Sequence, residues 1–189
     1  LYAGQTYTNI PNSDGRRIQI AWGRISHPSM PFNGMMLLPT ELTLHTTKEG
    51  IRLFSNPIKE TKQLFTPLKK WASLTSDKAN DHLKEFRNAE TLRIKTTFKL
   101  SHATSAGIDL FGQRILDYDM NANTINSVFY SPEDRNSMEL TADIYIDKTS
   151  IEVFIDGGIY SYSMGRKPAN QNQDGIRFWG NNIAVKNLE

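Results

Sequence analysis

Four oxygen-bearing side chains, Asp117, Asp119, Asn121 and Asn123, alternate along one short stretch of this 189-residue chain with the spacing of a calcium-binding loop. That chemistry needs a glycine at the sixth position, where the backbone turns sharply, and a bidentate glutamate at the twelfth. Ala122 and Val128 stand there, so the stretch is better read as a hairpin turn. The four histidines, His27, His45, His82 and His102, are never four apart and never flank a carboxylate pair, which gives metal ligation no support. With no cysteine, disulfides, thiolate nucleophiles and cysteine-ligated zinc are excluded together. The chain also lacks a serine nucleophile elbow and a glycine-rich phosphate loop. Neither a metal nor a cofactor is expected.

The elements that must position any site are mostly strands. In Leu92 to Leu100 apolar or small residues alternate with cations and threonines, the period-two pattern of a half-buried strand. Leu140 to Asp147 and Ser150 to Asp156 repeat it, and Gly157-Gly158 offers a reversal into Ile159 to Met164. Shorter candidates are 107–111, 113–118, 124–130, 175–179 and 183–188. Strands at this spacing, separated by Asn, Asp and Gly, predict an all-β antiparallel two-sheet sandwich. Only Ser76 to Asn88 leans helical, with Ser76 as the expected cap. Pro57 and Pro67 interrupt the pattern between about Leu44 and Leu74, a stretch that keeps Leu53, Phe54, Leu64, Phe65, Leu68 and Trp71 for packing and so reads as a connection across two bodies. The expected division is 1–46, 47–74 as the connecting segment, and 75–189 as the sandwich.

Charge narrows the partners. Twenty-two Lys and Arg against 20 Asp and Glu leave a net charge of +2, and no element concentrates the cations, so nucleic acid is not expected. No apolar run of about 18 residues exists to span a bilayer as a helix. The start at Leu1 has no leader-like pattern, so a processing boundary with any targeting signal upstream is expected. Aromatics such as Tyr118, Phe129, Tyr130, Tyr160, Tyr162, Phe178 and Trp179 could form a sugar-binding face, but most stand at strand-core spacing, where packing is the default.

Three tracts near the front, Tyr2-Ala3-Gly4-Gln5-Thr6-Tyr7, Gly15 to Trp22 and Met30-Pro31-Phe32-Asn33, resemble the fifth β-propeller blade of glycoside hydrolase family 32, the levanases, inulinases, fructanases and invertases. The later run Ile146-Asp147-Lys148-Thr149-Ser150-Ile151-Glu152-Val153-Phe154 resembles a strand motif of that family's carboxy-terminal sandwich, and Asp174-Gly175-Ile176 follows in the expected order. The resemblance implies strands of a last propeller blade over 1–46, followed by a jelly-roll or concanavalin-like sandwich. It implies cleavage of β-fructosyl bonds in fructans or sucrose with retention, by an Asp nucleophile and a Glu acid/base about 5 Å apart. The Asn-Asp-Pro, Arg-Asp-Pro and Glu-Cys-Pro motifs that carry those acids are absent, and Glu41 lacks the Cys-Pro that would follow, so no catalytic residue is expected in this chain.

The family implies that Trp22 lines the pocket of the terminal fructosyl ring, where a flat indole suits a sugar's apolar face and its N–H a hydroxyl. Tyr2 and Gln5 lie on the strand approaching the propeller axis; for these three the alternative is structural packing and hydrogen bonding. The implied partners are a fructan or sucrose-type carbohydrate and an amino-terminal propeller of the same protein, with an extracellular or periplasmic location from the substrate class. Two other readings stay open: a non-catalytic carbohydrate-binding sandwich and a purely structural module. Residues 1–46 are expected to expose apolar edge strands, leading to self-association or local disorder.

Overall fold

The computed structural model describes residues 2–27, 30–100, 105–130, 138–168 and 175–189. His102 and Asp174 lie outside them. The described strands form three sheets, and every pairing is antiparallel.

The first sheet contains β1 (Tyr2–Thr6), β2 (Ile18–Gly23), β3 (Met35–Met36), β4 (Thr40–Thr47) and β5 (Gly50–Pro57). Its order is β1-β2-β4-β5, with β3 also on β2. Within 47–74, read as a connection, lies a whole strand: β4 and β5 form a long hairpin with Leu44 opposite Leu53 and Thr46 opposite Ile51. The period of two is present there, but Leu44, Ile51 and Leu53 face outward at 72%, 67% and 55% exposure, so the pattern lacks a buried face to mark it. A 3-10 turn over Lys59–Leu64 follows.

The next strand is β6 (Trp71–Thr75), and it leads into the helix α1 (Ser76–Leu83). Thr75, not Ser76, caps this helix: its hydroxyl accepts from the Lys78 N–H at 3.4 Å, one residue earlier than the sequence suggests. The helix stops at Leu83 and passes into a 3-10 turn over Lys84–Phe86.

The sandwich then forms from β7 (Leu92–Leu100), β8 (Ser105–Leu110), β9 (Gln113–Asp119), β10 (Thr124–Ile125), β11 (Val128–Phe129), β12 (Glu139–Ile146), β13 (Ser150–Ile155), β14 (Tyr160–Gly165), β15 (Ile176–Trp179) and β16 (Ile183–Leu188). One sheet runs β14-β13-β12-β7-β16-β6 and the other β11-β10-β9-β8-β15, the two-sheet sandwich that the alternation predicts. The stretch 124–130 is two short strands, because Asn126 and Ser127 take φ of 49° and 64° and close a tight hairpin.

The core lies between these two sheets. Phe98, Ile108, Ile115, Leu116, Leu140, Ile144, Ile151 and Ile155 are wholly buried, and Phe98 meets Phe178 across the sandwich edge-to-face at 5.7 Å. Tyr162 adds a polar tie, its hydroxyl donating to the Ile115 carbonyl at 2.6 Å, and burial raises its pKa. Asn80 of α1 satisfies the open edge of β15, donating to the Phe178 carbonyl at 3.0 Å and accepting its N–H at 2.7 Å.

Candidate functional site

The residues expected to meet a sugar all sit in the first sheet. In β2, alternation sends Gln19 and Ala21 toward the sandwich and Ile20 and Trp22 the other way. Tyr2 pairs with Trp22 and Gln5 with Ile20, so Tyr2, Gln5 and Trp22 share the face turned away from the sandwich. The structure brings two of them into contact: the Tyr2 and Trp22 rings lie edge-to-face, 5.8 Å apart. The Arg24 guanidinium stands 5.7 Å from the Tyr2 ring centre. Trp22 is half-buried, because Gly34, at φ +74°, presses its backbone on the indole. A β-carbon there would come within 2.1 Å of the indole nitrogen. Gln5 follows on the same face, exposed, and makes no contact with either ring among the described interactions.

Glu41 lies in β4, opposite Ile18 on one side and Asn56 on the other. It is an ordinary sheet position. Asp119 is engaged by its own turn, one carboxylate oxygen accepting the N–H groups of Asn121 and Ala122 at 2.9 Å each, the local bonding a hairpin calls for.

Two polar arrangements join the first sheet to its neighbours. Arg16 is clamped by Asp14 at 2.6 and 2.7 Å and by Glu60 at 2.9 Å through two bonds, tying the β1–β2 loop to the turn after β5. The Arg16 guanidinium holds the Asp14 carboxyl down at about 2 and lowers Glu60. The second arrangement centres on Glu152, a buried carboxyl in the all-buried strand β13. Both of its oxygens lie near the Leu38 N–H, at 3.1 and 3.2 Å. That N–H needs a partner: Leu37 donates to Ala21 across the sheet, the Pro39 carbonyl receives Ile58, and Leu38 falls in the gap between β3 and β4. Burial raises the Glu152 carboxyl to about 7, against the lowering effect of the Leu38 bond.

In the sequence Glu152 stands out only as part of a strand motif. The signal was there: in Ser150-Ile151-Glu152-Val153-Phe154-Ile155, Glu152 shares a face with Phe154, and a face that covers phenylalanine must also cover the carboxylate. What alternation cannot supply is the donor, 114 residues away.

A cavity of about 470 Å³ lies elsewhere, between the 62–71 segment and β7 and β16, with Phe65, Trp71 and Phe86 in its wall. There Trp71 stacks on His82 at 4.7 Å.

Comparison with known proteins gives these arrangements a setting. No protein-family model matches the chain. A levanase from Bacillus subtilis is 25% identical over 188 residues, covering 84% of this chain but 28% of its own length. Among solved structures, the exo-inulinase from Aspergillus awamori superposes with a TM-score of 0.66 at 15% identity, over 100% of this chain and 42% of its own. The GH32 β-fructofuranosidase from Bombyx mori gives 0.60 at 15% identity, over 100% of this chain and 40% of its own. The chain thus spans less than half of each of these proteins. It is similar in sequence to a levanase and in fold to structures of glycoside hydrolase family 32, consistent with a carboxy-terminal portion of that family.

Proposed function

We propose that this chain is the carboxy-terminal part of a glycoside hydrolase that cleaves β-fructosyl bonds of fructans or sucrose with retention, and that these residues brace a catalytic propeller. The observation that carries this reading is the levanase likeness over 84% of the chain. Retention requires one ionised carboxylate to attack the anomeric carbon and one protonated carboxyl, about 5 Å away, for the leaving oxygen. In this reading both acids belong to the remainder of the enzyme. The first sheet is then a blade of its propeller, and Trp22, steadied by Gly34 and Tyr2, offers an apolar surface to the fructosyl ring. Without nucleophile and acid these residues cannot lower the barrier for glycosyl transfer, so the chain alone is inactive.

The test is incubation of the chain with levan and inulin and measurement of released fructose. None is expected; release would overturn the assignment of the acids to another part of the enzyme. Isothermal titration with levan- and inulin-type oligosaccharides then separates bracing from carbohydrate binding, since a bracing module gives no heat. Heat that disappears when exposed aromatics are replaced makes the sandwich a binding module instead. In the intact enzyme, Trp22→Ala is expected to raise KM for the fructan; an unchanged KM removes Trp22 from the pocket.

A further inference from the structure

We propose that Glu152 is a proton-controlled latch between the first sheet and the sandwich, holding the two together when neutral and loosening them when ionised, because burying its charge costs more than the Leu38 N–H returns. The inference concerns the joint between the two bodies and stands whether or not the chain acts on sugars.

The geometry comes first. Glu152 is 6% exposed and closes one wall of a cavity of about 190 Å³ between the bodies. From the first sheet the wall is made by Gln19, Ala21, Leu37, Leu38, Thr40 and Ser55. From the sandwich come Phe154, Ser161, Tyr162 and Ser163 around Glu152. A carboxylate has about four acceptor sites, and a protonated carboxyl also has an O–H to donate. Among the described hydrogen bonds, Glu152 receives one N–H, and that donor belongs to the other body. A neutral carboxyl has no charge to bury, whereas an ionised one accepts the Leu38 N–H more strongly but gains from that single bond less than burial of its charge costs at 6% exposure.

The groups facing it do not supply a compensating cation. On β14 its pairing partner is Ser163, and on β12 it is Tyr145, whose phenol burial pushes up to about 12 and so keeps neutral. Arg93 of β7 lies beyond Tyr145 on that face, its guanidinium 5.0 Å from the Tyr145 ring centre, and is committed to Asp143 at 2.7 and 2.9 Å. Tyr162 in the cavity wall is held to Ile115. From the first sheet the cavity receives an amide and two hydroxyls, while Glu41, next to Thr40, alternates to the opposite face. Among the described residues no charged group therefore offsets ionisation.

The direction follows by linkage. The carboxyl is raised from 4.5 to about 7 in the seated state, so that state binds the proton more tightly than the unseated one. Its contribution to docking is complete below about pH 4.5 and declines as pH rises through about 7. The joint does not open at once above that, because Asn56 still donates to the Gly157 carbonyl and Gly158 still rests on the Ser55 carbonyl. The latch changes how often the first sheet lifts, on the order of a hundredfold across the window.

Carbon-13 NMR of the glutamate side chains, with amide exchange at Leu38, tests this on the whole 189-residue chain. We expect the Glu152 carboxyl to titrate within a unit of 7. Leu38 protection, corrected for the intrinsic base-catalysed rate, should fall roughly a hundredfold from pH 5 to 8.5. Protection at Ile144 in the sandwich core should stay level. Glu152→Gln, a lasting mimic of the neutral form, should keep Leu38 protected throughout. A Glu152 midpoint below 5.5, a pH-independent Leu38, or the same decline in Glu152→Gln would overturn the latch. Should that variant fail to fold, the wild-type carboxyl titration decides alone.

Discussion

The first sheet and the sandwich begin from the same alternating strands and reach different ends. In the sandwich each sheet lays its apolar face on the other, so Phe98, Leu140 and Ile144 are fully enclosed, and β13 is buried along its whole length because the first sheet covers its other face. The first sheet gathers only Ala21, Ile25 and Leu37 into a buried cluster, with Met35 beside them, and leaves β1 exposed throughout. Its β4–β5 hairpin is paired along its whole length, as β12 and β7 are in the sandwich. Hydrogen-bonded pairing alone therefore does not make a core; a sheet needs a second layer to remove its apolar face from water. What the first sheet has instead is a joint, made by Glu152 on Leu38 and Asn56 on Gly157, while Arg16 on Glu60 ties its own loop to the turn after β5.

The contrast can be broken experimentally. The largest effect is expected from Phe98→Ala, which removes a wholly buried ring and its cross-sandwich contact with Phe178. A loss of about 3–5 kcal/mol in denaturant-induced unfolding of the sandwich is expected. If a probe in the first sheet melts before the sandwich in the wild type and together with it in this variant, the two bodies differ in stability as described. Simultaneous melting in the wild type would erase the distinction.

Gly158→Ala strikes the joint itself. Gly158 has φ +88°, and a β-carbon would fall 2.3 Å from the Ser55 carbonyl oxygen. Backbone strain alone costs about 1–3 kcal/mol at such a position. The expected signature is faster amide exchange in β5 than in β12. Equal acceleration in both strands would mean that the joint belongs to the sandwich's own cooperative unit.

Arg16→Ala should have the smallest effect. Its clamp on Asp14 and Glu60 is partly open to solvent, where ion pairs add little. An almost unchanged melting temperature is expected, with faster exchange confined to Lys59–Leu64. A large drop in melting temperature would make this clamp a main support of the first sheet.

The sandwich was legible in the sequence because its strands have one covered face, and β7, β12 and β13 fall within a residue of their predicted places. The hairpin of β4 and β5 was not, since Leu44, Ile51 and Leu53 turn outward and the apolar alternation there marks no interior. Trp22 and Tyr2 were picked out by family likeness, and the structure sets their rings together. Periodicity could not have done so, because a tryptophan in a strand looks the same whether it lines a pocket or fills a core. Glu152 went unrecognised for a different reason: strand spacing tells which face a carboxyl occupies, but not that a distant Leu38 N–H waits there.

The placement of the three indoles has a practical outcome. Trp22 sits on the open side of the first sheet, Trp71 in the junction strand against His82, and Trp179 beneath the Arg114 guanidinium with its N–H bound to the Leu116 carbonyl. The three indoles meet different neighbours, a tyrosine ring, an imidazole and a guanidinium. The molecule thus carries one intrinsic fluorophore for each of three regions, and pairs of Trp→Phe replacements would leave a single reporter for whichever one is under study.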